Sequence, residues 1–215
     1  MLETGIAGFG LLPNFKILNM KKLLLILLAL VFSSSVNLNA KCKFKKKIDV
    51  YSQAMAENCN VVLDVCTRPA VLFSKYRTSA SIAMAKGSGS KYFVLFYFTR
   101  TDSKKFELLK ENSLDLFLSN GEKIQLFPAG VFSGNYIGLS FNFMIRCLYQ
   151  IDKQQLQKLT GNNVEMVAIH YTSEKELNGS QIDQDGKFSL DYEVISKTFQ
   201  ASAGNLAQCI LDVNF

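Results

Sequence analysis

The chain has 215 residues, 48% of them hydrophobic, with 24 basic and 18 acidic side chains and a formal net charge of +6. That balance excludes a disordered polyelectrolyte, and the length is enough to bury a core without help from disulfides. One histidine leaves little material for the commoner metal sites; the absence of tryptophan counts mildly against a sugar-stacking surface, which eight tyrosines keep open.

Met20-Lys21-Lys22 is a short positive segment, Leu23 to Phe32 an unbroken apolar run of 10 residues, and Ser33 to Ala40 a polar stretch ending in a small residue. This is the order of a cleavable export signal. The apolar run is too short for a membrane span, which takes ~20 residues. Lys41 before Cys42 does not suit a lipoprotein signal. Residues 1–19 read as an extension ahead of Met20, a natural initiator; the alternative is a long leader removed with the rest. The expected organisation is therefore residues 1–40 as extension and signal (20–40), and 41–215 as a single β-rich domain with no transmembrane span. Residues 1–40 hold three Lys and one Glu, so the domain keeps 21 basic and 17 acidic side chains, a net +4. So mild a charge fits an exported protein near an anionic envelope and gives no support to nucleic-acid binding.

From Lys41 to Ile48 the chain alternates, Lys41, Lys43, Lys45 and Lys47 against Cys42, Phe44, Lys46 and Ile48. A lysine-lined edge strand is expected, since lysines block unwanted strand pairing. Residues 49–60 fit a loop or a helical turn near Ala54–Glu57. Val61–Val65 and Val71–Tyr76 read as strands broken at Arg68-Pro69. Ser81–Lys86 and Lys91–Arg100 form a hairpin around Gly87-Ser-Gly-Ser90. Its second strand, Tyr92 to Phe98, is apolar on both faces and so belongs mid-sheet with cover on both sides.

The next hairpin, Ser113–Phe127, turns at Asn120-Gly121. A two-residue loop sets Leu118 against Lys123. A three-residue loop sets Leu116 against Ile124 and Leu114 against Leu126, with Gly121 in the left-handed region, and pattern consistency selects it. Pro128-Ala-Gly130 is a turn. Phe141 to Ile151 is a long strand with Phe141, Phe143, Ile145, Cys147, Tyr149 and Ile151 on one face. Asp152 caps a helix over 153–160 that Gly161 closes. Val164–Tyr171 is a strand, and 172–190 a long polar loop or hairpin. Tyr192, Ile195, Phe199, Leu206 and Ile210 share a helical stripe, which predicts an amphipathic helix over 191–208 despite Gly204. The fold class that follows is mainly β (α+β): an antiparallel β-sandwich or partly open barrel with these two helices.

Leu-x-Leu-x-Leu-Ser-Asn-Gly … Ile-x-Leu at 114–126, Tyr-x-Ile at 149–151, Leu-x-x-Leu at 156–159 and the strand at 164–171 resemble a recurring pattern of exported bacterial β-rich domains of unassigned function. The resemblance covers roughly residues 90–171. It implies a β-rich fold with small helices and brings no catalytic residue.

Five cysteines, Cys42, Cys59, Cys66, Cys147 and Cys209, leave at least one thiol unpaired, and spacing alone leaves the connectivity open. Cys59–Cys66 is disfavoured. Along one straight strand those residues stand ~23 Å apart, against the ~7 Å limit of a disulfide. Cys147 lies on an apolar face, where burial makes a thiol inert. His170 follows Val164, Met166 and Ala168 on an alternating strand and reads as a partly buried or rim imidazole; the sequence shows neither a nucleophile elbow nor a carboxylate partner for it. A tetrahedral zinc site lacks ligands at any usual spacing. Asp183-x-Asp185-Gly186 matches part of a calcium loop, but Gln181 and Tyr192 occupy its first and twelfth ligand positions; with Glu174, Glu176, Asp191 and Glu193 it reads as a solvated acidic loop. Asn178-Gly-Ser180 is a glycosylation sequon taken as a chance match.

No catalytic, cofactor or metal residue is therefore assigned. The leading expectation is a non-catalytic exported envelope or secreted module that binds a protein or surface component. The alternative is a periplasmic carrier of an apolar ligand, held beneath strands 92–98 and 141–151; the third is a hydrolase using His170. A sealed apolar core favours the first and a long apolar cavity the second. A cleft joining His170 to a carboxylate and a serine or cysteine favours the third.

Overall fold

The computed structural model describes residues 42–45, 48–101, 104–137, 142–182 and 186–213. They all belong to the unit Lys41–Phe215; the signal expected at 20–40 and the extension before it lie outside the described residues.

The fold is mainly antiparallel β. Its strands are β1 (Leu63–Cys66), β2 (Ala70–Lys75), β3 (Thr78–Gly87), β4 (Lys91–Thr101), β5 (Glu107–Leu108), β6 (Leu114–Leu118), β7 (Lys123–Pro128), β8 (Phe132–Ser133), β9 (Asn135–Ile137), β10 (Asn142–Ile151), β11 (Val164–Tyr171), β12 (Gln181–Ile182) and β13 (Phe188–Glu193). The helices are α1 (Val50–Asn58), α2 (Lys153–Thr160), α3 (Lys197–Gln200) and α4 (Ser202–Leu211). The main sheet runs β1-β3-β4-β10-β7-β6-β11-β13-β12 and does not close.

It turns a corner at β10–β7, where the pairing is Tyr149 with Pro128 and Gln150 with Phe127. The two halves then face each other. Phe73 of β2 stacks on Tyr192 of β13 with ring centroids 4.4 Å apart, and Phe98 of β4 lies 5.9 Å from the same ring. The arrangement is a sandwich made from one folded sheet, as the alternating patterns of β7 and β10 require. Phe143, Ile145, Cys147 and Tyr149 of β10 are fully buried between the halves. The other face of β4 is covered by α1, whose Ser52 hydroxyl meets that of Tyr97 at 2.9 Å. This double cover explains why 92–98 is apolar on both sides.

Local signals place the turns. Leu114 pairs with Leu126 and Leu116 with Ile124, the three-residue register, and Gly121 has φ +82°. Asp152 and Gln155 form a capping box at the start of α2, and Gly161 ends it. The ambiguous stretch 49–60 is α1, capped by the Asp49 carboxylate on Ser52 N.

Two expectations are corrected. The lysine-lined strand over 41–48 is reduced, among its described residues, to one bridge between Phe44 and Thr67. Lys45 N bonds Cys66 O and Arg68 N bonds Lys43 O, but Asp49 starts a helix immediately afterwards and Lys45 turns to pair with its carboxylate. The helix expected over 191–208 begins later and ends later. Residues up to Glu193 complete β13, with Tyr192 opposite Val167, and Ile195 is exposed. The helical spacing of Tyr192, Ile195 and Phe199 loses to strand pairing and to the Phe73–Tyr192 stack. Gly204 has a packing reason to be there: a Cβ on it would stand 2.6 Å from Leu159 O, where α4 meets α2.

Candidate functional site

The second half-sheet, β7-β6-β11-β13, buries one set of alternate residues and presents the other. Leu114, Leu116, Ile124, Leu126, Val167, Ile169 and Leu190 are buried. On the other set, Ser113, Asp115, Lys123, Gln125, His170, Ser189 and Asp191 carry polar groups outward beside Phe117, Phe127 and Ala168. Register lines them up across the strands: Gln125 opposite Asp115, Asp115 opposite Ala168, and Ala168 opposite Asp191. One step along, His170 faces Ser189 on one side, and its main-chain N bonds Ser113 O on the other. The small side chain at Ala168 leaves a hollow between these rows. The result is a cleft of about 500 Å³ floored by Asp115, Ala168 and His170.

Asp115 is the centre of this cleft. Its side chain is 4% exposed. Lys123 Nζ donates to Oδ2 at 2.9 Å, and Gln125 Nε2 lies 3.4 Å from Oδ2 and 3.2 Å from Ser113 Oγ. His170 Nε2 stands 3.6 Å from the same oxygen, long for a hydrogen bond and close enough for charge to matter. Oδ1 is closed from solvent and receives no well-formed hydrogen bond. Burial by itself pushes the Asp115 carboxyl up, but hydrogen bonding from His170, Lys123 and Ser113 and the Lys123 charge outweigh it and hold the group at about 2. Asp115 is thus a buried carboxylate kept ionised by a fixed surround.

Sequence reasoning made His170 a partly buried or rim imidazole, and its side chain is 13% exposed. It found no carboxylate partner for His170, and here it is corrected: Asp115 comes from a strand far away in sequence. It also passed over Ser113, Lys123, Gln125 and Ser189. The available signal was a lone acid between leucines in Leu114-Asp-Leu, an outward position that alternation marks as polar but not as buried.

His170, Asp115, Ser113 and Ser189 line one cleft, the combination set out above as favouring hydrolysis by acyl transfer. Such chemistry needs N–H groups aimed at a developing oxyanion, whereas in mid-sheet the main-chain N–H groups serve strand pairing, as His170 N does. The cysteines stand elsewhere. Cys42 is bonded to Cys209, with Cα atoms 5.5 Å apart, and Cys59, Cys66 and Cys147 are free. Burial raises all three free thiols, Cys66 to about 11, which suppresses the nucleophilic thiolate.

Between the half-sheets, Phe96, Phe98, Phe106, Phe143, Tyr149 and Tyr171 fill the space in a chain of ring contacts with centroids 4.8–6.2 Å apart. Of the partial calcium loop, Asp183 and Asp185 lie outside the described residues. Among the described residues no three His, Cys, Asp or Glu gather as a metal site, and no helix is long and apolar enough to cross a membrane.

No family model, curated protein or solved structure matches this chain.

Proposed function

We propose that this chain is an exported, non-catalytic β module that binds a protein or surface component of the envelope through the outer face of β7, β6, β11 and β13. The observation that carries the reading is Asp115: a buried carboxylate bonded by Lys123 and Gln125 on the floor of an open cleft. Around it, Lys123 bonds Asp115 and Gln125 bonds Ser113 and Asp115 on paired strands, so the face is preorganised for recognition. The Cys42–Cys209 bridge supports export, because such bonds persist in oxidising compartments. The aromatic packing between the half-sheets counts against an apolar-ligand carrier.

The test uses isolated envelope material from the producing cells. The mature protein, residues 41–215, is sedimented with it, and so is a Gln125→Ala/Asp191→Ala double variant, both positions being exposed. At least a tenfold loss of retention in the variant is expected; equal retention refutes the assignment of this face. A hydrolase is the second reading, favoured by the cleft that joins His170 to Asp115, Ser113 and Ser189. It takes over if an ester, peptide or glycoside is turned over and His170→Ala abolishes turnover with the melting temperature unchanged.

A further inference from the structure

Resting on that reading of the face, we propose that its ligand is a neutral saccharide. Three features of the cleft point there.

The first is charge. Asp115 and Lys123 neutralise each other at 2.9 Å. The remaining charged lining is also mixed, Glu111 and Asp191 against Lys187. A face of this kind offers no field for a polyanion such as nucleic acid or an anionic headgroup, and none for a polycation.

The second is the kind of hydrogen bonding on offer. The cleft presents amide and hydroxyl side chains in Gln125, Ser113 and Ser189 beside the Asp115 carboxylate. The two long side chains beside the carboxylate, Lys123 and Gln125, rise from exposed positions and offer an ammonium and an amide to ligand hydroxyls. A peptide is poorly served here. Peptides add to sheets through main-chain pairing at an edge, and on a sheet face the main-chain groups point sideways into the ladder. A polyol needs only side-chain donors and acceptors.

The third is the aromatic pair. Phe127, 48% exposed, and Phe117, half-buried, both line the cleft. Phe117 lies opposite Lys123, four residues along from the row that holds Phe127, which sets the rings roughly 14 Å apart by strand geometry. Gln125, Asp115 and Asp191 lie in the row between them, and Ser113, His170 and Ser189 lie level with Phe127. Two apolar ring faces bracketing a strip of donors and acceptors match an extended chain of sugar rings, whose C–H faces and hydroxyl rims alternate in the same way.

The experiment treats the envelope material with periodate, which cleaves vicinal diols, or with protease before sedimentation. Cellotetraose and maltotetraose, whose rings each carry a vicinal 2,3-diol, serve as soluble competitors. Periodate should lower retention at least tenfold and protease should not. At least one tetrasaccharide should compete, and Phe127→Ala should weaken retention at least fivefold with its melting temperature unchanged. Retention that survives periodate and is lost to protease overturns the saccharide while leaving the binding face intact. Retention that the Gln125→Ala/Asp191→Ala variant leaves unchanged overturns the face itself.

Discussion

Cys42→Ser removes the bridge between the N-terminal segment and α4 and leaves a small polar group at an exposed position. The bridge joins residues 167 apart in sequence, so closing that loop restricts the unfolded chain by an amount worth ~5 kcal/mol at 25 °C in the chain-entropy treatment. The native state recovers part of this when the bond is gone. Residues 42–44 are then held mainly by Phe44 against Thr67 and by the Arg68–Lys43 main-chain bond, and they gain freedom by fraying. A net loss of about 3 kcal/mol is expected, which for a domain of this size lowers the melting temperature by about 6–12 °C. Thermal denaturation followed by circular dichroism measures it, with reductant as a second route to the same state and Cys59→Ser as the control that shifts little. Thiol titration in denaturant should find the three free cysteines in the oxidised wild type and one more in Cys42→Ser. A fifth thiol in the oxidised wild type, or a melting temperature indifferent to both Cys42→Ser and reductant, would refute the reasoning.

Gly121→Val should cost ~1 kcal/mol or more by backbone strain. A Cβ there meets nothing within 4 Å, so Gly121→Asn should cost less; chemical-denaturation midpoints compare the two. Gly204→Ala should destabilise by ~1–3 kcal/mol because its Cβ presses on Leu159 O at 2.6 Å. Helix propensity alone predicts the opposite sign, so a stabilised variant would show that the α2–α4 contact yields. The Asp115 carboxyl is depressed from 3.8 to about 2; its contribution is complete above the unfolded value and disappears as pH falls from about 4 through about 2. Up to ~2 kcal/mol is at stake, and Asp115→Asn should flatten that part of a stability-versus-pH curve measured by urea denaturation.

Where the decisive interactions are local, sequence reading and structure agree. The Asn120-Gly121 turn, the Asp152 cap and the Gly161 stop depend on neighbours within a few residues, and they settle the β6–β7 register and the limits of α2. The inward face of β10 follows from the two-residue period of a strand. Stretches whose local pattern admitted two structures were decided elsewhere. Tyr192, Ile195 and Phe199 keep helical spacing, but Tyr192 pairs with Val167 and stacks on Phe73, partners that no window around residue 192 contains. The lysine alternation before Ile48 yielded in the same way to Asp49, which is engaged in capping α1.

The candidate site stands furthest from the sequence. Alternation marks Asp115, Gln125 and His170 as facing away from the core, each on its own strand. It does not say that β11 lies between β6 and β13, and that order is what brings His170 to Asp115 and Ser189. By itself the sequence determined the Asn120-Gly121 turn, the Asp152 cap and the strand faces. The tertiary structure alone decided the Cys42–Cys209 partnership, the burial of Asp115 and the hollow over Ala168. Those features come from long-range strand pairing and packing, whose free energy depends on residues that meet only after the chain has closed loops of many tens of residues.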